Sequence, residues 1–130
     1  MQTAPLNRIL MVEDDLDIQA VARLALETLG GFTVEICSRG REALETAPVF
    51  RPDLILLDVM MPGMDGPTTL KHLRALPNLD AVPVVFMTAK VMAHEIDRYK
   101  TLGALDVIRK PFDPMALSTT LNTIWENSCV

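Results

Sequence analysis

The sequence predicts an α/β fold built on a parallel sheet, and three observations predict it. Short apolar runs recur along the chain, at Ile9–Val12, Leu54–Leu57 and Val84–Met87. Between them lie stretches with the spacing of one-sided helices. Each run stops abruptly at a polar residue. Such alternation implies right-handed strand–helix–strand crossovers. These place every strand's C-terminal end on one edge of the sheet, where open α/β folds bind ligands.

The first apolar run meets Glu13-Asp14-Asp15. A helix is expected next, with Ile18, Val21, Ala22, Ala25, Leu26 and Leu29 on its buried face. Asp15 or a neighbouring acid caps its start, and Gly30-Gly31 end it. Thr33 to Cys37 is strand-like, with Val34 and Ile36 alternating. Residues 40–47 read as a short helix stopped near Pro48. Leu54–Leu57 is apolar on both faces, as a central parallel strand requires, and ends at Asp58. Residues 60–66 are rich in turn formers and make a loop. A helix from about Pro67 to Leu76 follows, with Pro67 suited to its first turn. Pro83 to Met87 is the fourth strand, ending at Thr88. Residues 91–102 form a helix with Met92, Ile96, Tyr99 and Leu102 on one side. Leu105 to Arg109 is the fifth strand, ending at Lys110-Pro111. Asp113 caps a final helix carrying Met115, Leu117, Leu121, Ile124 and Trp125.

A chain of 130 residues fits one domain, here 1–130 with its core at about 8–126. With 49% hydrophobic and 22% charged residues it can bury a core and is not a disordered chain. The net charge of −5 argues against a nucleic-acid-binding module, which carries a basic face. Two cysteines are too few for a disulfide framework. Cys37 reads as a small buried hydrophobe and Cys129 as a tail thiol in a reducing compartment. No apolar run approaches the ~20 residues of a membrane span. Residues 1–5 lack the basic-then-apolar pattern of a secretory signal, so a cytoplasmic protein is expected.

The strand ends carry the chemistry. Glu13 and Asp14 follow the first strand, Asp58 the third, Thr88 the fourth and Lys110 the fifth. One acid after a strand is ordinarily a helix cap, and one lysine a solvated charge. Four polar terminations on one sheet edge need a joint explanation. Three carboxylates close together repel, and a cation offsets this. With only hard oxygen ligands and no nearby His or Cys, the cation is Mg²⁺ or similar rather than zinc. A carboxylate beside Mg²⁺ can act as a nucleophile toward phosphorus, giving an aspartyl phosphate. The transferred group's oxygens then need donors. Thr88 offers a hydroxyl, Lys110 an ammonium and Ala89 a backbone N–H.

The segments Val12-Glu13-Asp14-Asp15, Leu57-Asp58-Val59-Met60-Met61-Pro62-Gly63-Met64-Asp65-Gly66, Met87-Thr88-Ala89 and Lys110-Pro111-Phe112 resemble the receiver domain of two-component response regulators. They stand in that family's order and spacing, and the likeness runs from about Arg8 to Trp125. It is to single-domain receivers of the chemotaxis-regulator type. The resemblance implies a flavodoxin-like sandwich with strand order 2-1-3-4-5 and five helices. It implies Asp58 as phosphoacceptor and Asp14 as direct Mg²⁺ ligand, with Mn²⁺ as a substitute metal. Glu13 would act through metal-bound water and the Met60 backbone carbonyl as a third protein ligand. Thr88 and the Ala89 N–H would bond the phosphoryl group, Lys110 would pair with it, and the Lys110–Pro111 bond would be cis. The implied donor is a phosphohistidine on a sensor histidine kinase or histidine phosphotransfer protein. The product is a conformation that controls a downstream protein target, so the chain is a signalling switch rather than an enzyme. No direct nucleic-acid or membrane partner is expected.

Three rival readings fit the residues less well. A haloacid-dehalogenase-like phosphatase wants a second Asp two residues after its nucleophile, and Met60 stands there. A nucleotide-binding protein needs a glycine-rich loop after the first strand, where Asp15-Leu16-Asp17 is found. A receiver that works by binding alone usually loses the Asp, Thr or Lys, and this chain keeps all three.

The chain also departs from the family pattern. Val107 stands three before Lys110, where the family commonly has an aromatic switch residue. Signalling is therefore expected to depend on the loop after Thr88 and the 91–102 helix. Residues 113–130 contain no Lys or Arg, which removes half of a familiar ionic dimer interface. A monomer or a weak phosphorylation-dependent dimer is expected. Met60 and Lys90 are candidates for tuning the phosphoryl lifetime. Tyr99 and Met92 read as core or ordinary surface, and His72 and His94 as surface. No output domain is expected after the last helix. A stand-alone receiver and a piece of a larger regulator or hybrid kinase both fit, with Met1 favouring a natural start.

Overall fold

The structure, a computed structural model, describes residues 4–128. Cys129 and the first three residues lie outside the described residues. Five parallel strands, β1 (Arg8–Val12), β2 (Thr33–Cys37), β3 (Leu54–Asp58), β4 (Val84–Thr88) and β5 (Asp106–Arg109), form one sheet in the order β2-β1-β3-β4-β5. The helices between and after them are α1 (Leu16–Arg23), α2 (Gly40–Phe50), α3 (Gly66–Arg74), α4 (Ala93–Thr101) and α5 (Leu117–Asn127). This is the flavodoxin-like arrangement that the resemblance implies.

Strand alternation sorts the core into two layers. Ile9, Met11, Leu54, Leu56, Val85 and Met87 pack toward α1 and α5. Leu10, Val12, Ile55, Leu57, Val84 and Phe86 pack toward α2, α3 and α4. β3 and β4 are buried along their whole length, as strands covered on both faces must be. The register pairs Val12 with Leu57, Asp58 with Met87 and Thr88 with Arg109. Glu13, Asp58, Thr88 and Lys110 therefore emerge side by side at one edge.

Several local expectations are corrected. Helix α2 runs through Pro48 to Phe50. A proline costs one backbone bond without forbidding the turn that follows it. The helix ends instead at Arg51, in the left-handed region at φ 58°, just before Pro52. Helix α1 widens into a π-helical stretch over Leu24–Leu29. The wider turn breaks the regular spacing, so Leu29 rotates out to 51% exposure while Ala22, Ala25 and Leu26 stay buried. Val21, at the edge of that stripe, is also exposed. Helix α3 stops at Arg74 rather than Leu76. Helix α4 begins only at Ala93, leaving Met92 and Leu102 exposed at its ends. Asp113 does not cap α5 directly. Its side chain accepts from the Met115 N–H in a preceding turn, Met115 is exposed, and the helix starts at Leu117.

Candidate functional site

The sheet edge is shaped by caps and one close approach. Asp15 N-caps α1 by accepting from the Asp17 and Ile18 N–H groups. Asp65 caps α3 by accepting from the Thr68 N–H, with Pro67 in the first turn. Gly66 lies so tightly against β3 that an added Cβ would come within 2.7 Å of the Asp58 carbonyl oxygen. Only glycine lets α3 start there. Gln19 reaches back from α1 and donates to the Glu13 carbonyl at 2.6 Å and the Ser38 hydroxyl at 3.0 Å, fastening the turn after β1.

Glu13 and Asp58 are buried at 1% and 3% exposure, and Asp14 is exposed. One carboxylate oxygen from each of the three lies within 4.8 Å of the others. Lys110 Nζ sits between the two buried acids, 2.8 Å from Glu13 Oε1 and 3.2 Å from Asp58 Oδ1. Glu13 Oε2 also accepts from the Asp15 N–H at 3.0 Å. Asp58 Oδ1 also accepts a long 3.4 Å bond from the Met60 N–H. The Lys110 N–H donates to the Thr88 carbonyl at 2.8 Å, and the Lys110–Pro111 peptide is cis. The Lys90 N–H donates to the Thr88 hydroxyl oxygen at 3.2 Å.

Burial pushes the Glu13 and Asp58 carboxyls above the usual carboxylate range, and Lys110 only partly offsets this. Burial would lower the Lys110 ammonium, but its bond to Glu13 and the charge of Asp58 outweigh that and hold it raised. Three acids sharing one lysine leave negative charge uncancelled. The donor set is all oxygen, and one of its members, Asp14, faces solvent where a cation can arrive. These residues fit a hard divalent ion such as Mg²⁺.

Residues 9–122 match the model of the response regulator receiver domain. The chain belongs to that family. Receiver domains are signalling switches of two-component systems rather than conventional enzymes, and they pair with histidine kinases. The chain is 35% identical over 118 residues to the transcriptional regulatory protein CseB of Streptomyces coelicolor, covering 91% of this chain and 49% of that one. It is 38% identical over 111 residues to the DNA-binding response regulator MtrA of Mycobacterium tuberculosis, covering 85% of this chain and 47% of the other. It thus spans about half the length of such curated relatives. Among solved structures, the Vibrio cholerae chemotaxis protein CheY4 superposes with a TM-score of 0.85 at 31% identity, covering 92% of this chain and 98% of that one. The receiver domain of a Syntrophus aciditrophicus histidine kinase gives 0.79 at 32% identity, covering 93% and 91%.

Within this receiver fold, Glu13, Asp14, Asp58 and Lys110 converge, and Thr88 stands beside them, joined through its carbonyl to Lys110. Ala89 and Lys90 are exposed in the loop after β4, and Met60 is 77% exposed just past Asp58. Val107 is half-buried against the core layer that holds Phe86. His72 and His94 lie on the surface of α3 and α4. Cys37 is buried at the end of β2, and burial pushes its thiol up to about 11. Gln19, Asp65 and Gly66 organise the site; Gln19 stands in no motif of the sequence, and Asp65 and Gly66 read there only as part of the loop and motif after β3. The Asp65-Gly66-Pro67 order, a cap followed by a proline in the first turn, was the available signal for α3. No helix is long and apolar enough to cross a membrane among the described residues.

Proposed function

We propose that this receiver is a phosphorylation-activated switch whose phosphoacceptor is Asp58. The observation that carries this reading is the position of Asp58. It is a buried carboxylate with one close cationic partner, two neighbouring acids and few backbone donors. In the step itself, an Asp58 carboxylate oxygen attacks the phosphorus of a partner's phosphohistidine. An O–P bond forms, the P–N bond breaks, and the imidazole leaves with the electron pair and takes its proton from solvent. Lys110 holds Asp58 in its ionised, nucleophilic form and then pairs with the acyl phosphate. Asp14 and Asp58, the Met60 carbonyl and, through water, Glu13 are the residues that would hold Mg²⁺ or Mn²⁺. That ion supplies charge neutralisation for the phosphoryl oxygens.

The new group carries roughly −2 charge and three strong acceptors. The Thr88 hydroxyl turns from the Lys90 N–H to a phosphoryl oxygen, and the Ala89 N–H supplies a second donor. The loop after β4 follows. A shift from 1:99 to 99:1 needs about 5.5 kcal/mol, and a few charge-assisted bonds of ~1.5–3 kcal/mol each are of that order. The output is binding of a downstream protein by the rearranged face. A sensor kinase or phosphotransfer protein in the cytoplasm is the donor, and the chain acts as a monomer or weak phosphorylation-dependent dimer. Met60, exposed beside Asp58, and Lys90 tune how long the acyl phosphate survives.

The test is phosphoryl uptake from a small phosphodonor, read by intact mass. One phosphoryl group per chain with Mg²⁺, and none after chelation, is expected. Uptake that ignores the metal would overturn the reading.

A further inference from the structure

Helix α4 is held to the sheet by little. Tyr99 is its only buried residue. No side chain caps its start, and its first turn is tied only by the Glu95 and Ile96 N–H groups to the Met92 carbonyl. The Tyr99 ring meets Phe86 of β4 edge-on, with centroids 5.2 Å apart and planes at 86°. Phe86 is fully buried and pairs in register with Val107 of β5. Val107 packs in the same core layer and carries no ring, and Tyr99 brings one to Phe86 from the helix. Phe86 and Thr88 are two residues apart on one strand, so their side chains share a face. Outside, the Arg98 guanidinium lies 5.7 Å from the Tyr99 ring centre. The Tyr99 side chain takes part in no hydrogen bond among the described residues, so the ring and not the hydroxyl makes the connection.

We infer that Tyr99 is a positioning residue: it transmits phosphorylation of Asp58 to the exposed face of α4 through the Thr88–Phe86 face of β4. This rests on the phosphoacceptor reading above. When the Thr88 hydroxyl leaves the Lys90 N–H, the loop from Ala89 to Met92 is re-aimed. Helix α4 follows by pivoting on the one aromatic contact that holds it. A β4 face with no ring bridging to α4 would let the loop move without carrying the helix.

The chain has a single tyrosine, so fluorotyrosine incorporation yields one ¹⁹F resonance. The full chain is treated with Mg²⁺ and acetyl phosphate, and uptake is followed by mass on the same sample. The resonance is expected to shift with uptake and to stay put in Asp58→Asn. In amide spectra, Tyr99→Phe should keep the phosphorylation-dependent shifts of α4. Tyr99→Leu should lose them while those of Thr88 and Ala89 persist. Full uptake with an unmoved fluorine signal would overturn the inference and leave the phosphoacceptor reading standing, as would unchanged α4 shifts in Tyr99→Leu. No uptake at all would overturn both. The fluorine signal does not depend on the leucine variant folding.

Discussion

Strand β3 is flanked by two aspartates, and they have opposite fates. Asp53, at its N-terminal end, accepts from the Asn7 and Arg8 N–H groups at 3.1 and 2.8 Å. Its own N–H donates to the Arg8 carbonyl at 2.8 Å. Arg8 in turn donates to the Phe50 carbonyl and lies 4.2 Å from the Phe50 ring centre. That carboxylate stitches β1 to β3 and has its oxygen spent on the backbone. Asp58, at the C-terminal end, is more deeply buried and has one long backbone bond and a lysine shared with Glu13. The same functional group is structural where backbone donors consume it and available for chemistry where they do not. The difference lies in the neighbours, since both residues follow or precede the same apolar run.

The largest expected contrast is in phosphoryl uptake. Asp58→Asn should abolish it, and Asp53→Asn should leave it intact once the protein is folded. A mass measurement on both variants checks this, and uptake by Asp58→Asn would erase the distinction. Next comes the cation. Lys110→Met should slow uptake roughly 10- to 150-fold, the rate equivalent of one charge-assisted bond of about 1.5–3 kcal/mol, in a stopped-time phosphorylation assay.

Stability should separate the two aspartates by sign. Asp53→Ala removes bonds to two backbone donors and should cost about 1–3 kcal/mol in urea unfolding. Asp58→Asn should stabilise the metal-free protein at neutral pH. Burial holds the Glu13 and Asp58 carboxyls above their usual range, so their ionised forms oppose folding. That penalty is present above the raised native values and is lifted as pH falls through them toward about 4, the ordinary carboxylate range. Metal-free wild type should therefore gain stability from these two groups on mild acidification, and Asp58→Asn should show a shallower gain. Mg²⁺ at ten times its Kd should add about 1.4 kcal/mol to wild type, and less to Asp58→Asn.

The smallest effect concerns Cys37, which ends β2 on the same edge yet is walled off. With its thiol pushed up to about 11, it should label slowly with iodoacetamide at pH 8 and quickly only after unfolding. Fast native labelling mapped to Cys37 would show that burial does not isolate that strand end.

The strand ends were legible because each apolar run in the sequence stops at a residue whose chemistry differs from its neighbours. With a parallel sheet, that pattern alone puts Glu13, Asp58, Thr88 and Lys110 on one edge. Helix boundaries were less legible. Pro48 reads as a stop, but the αL turn at Arg51 before Pro52 ends the helix. Leu29 fits a helical stripe, but a π-helical turn rotates it outward. Both depend on backbone geometry that residue spacing does not encode. Gln19 was invisible for a related reason, since its role comes from reaching back to Glu13 and across to Ser38 of a different loop. Tyr99 fits a core position in the sequence. Its isolation as the one buried residue of α4 appears only when Met92 and Leu102 are seen to be exposed.

Asp58, and no other carboxylate of the edge, is the proposed acceptor of the phosphoryl group. Borohydride reduction of the phosphorylated chain converts an aspartyl phosphate to homoserine, and peptide mass mapping then locates it. Homoserine is expected at position 58 alone, with Glu13, Asp14 and Asp53 unchanged. Reduction at any of those positions, or a phosphorylated chain with no reducible acyl phosphate, would contradict it.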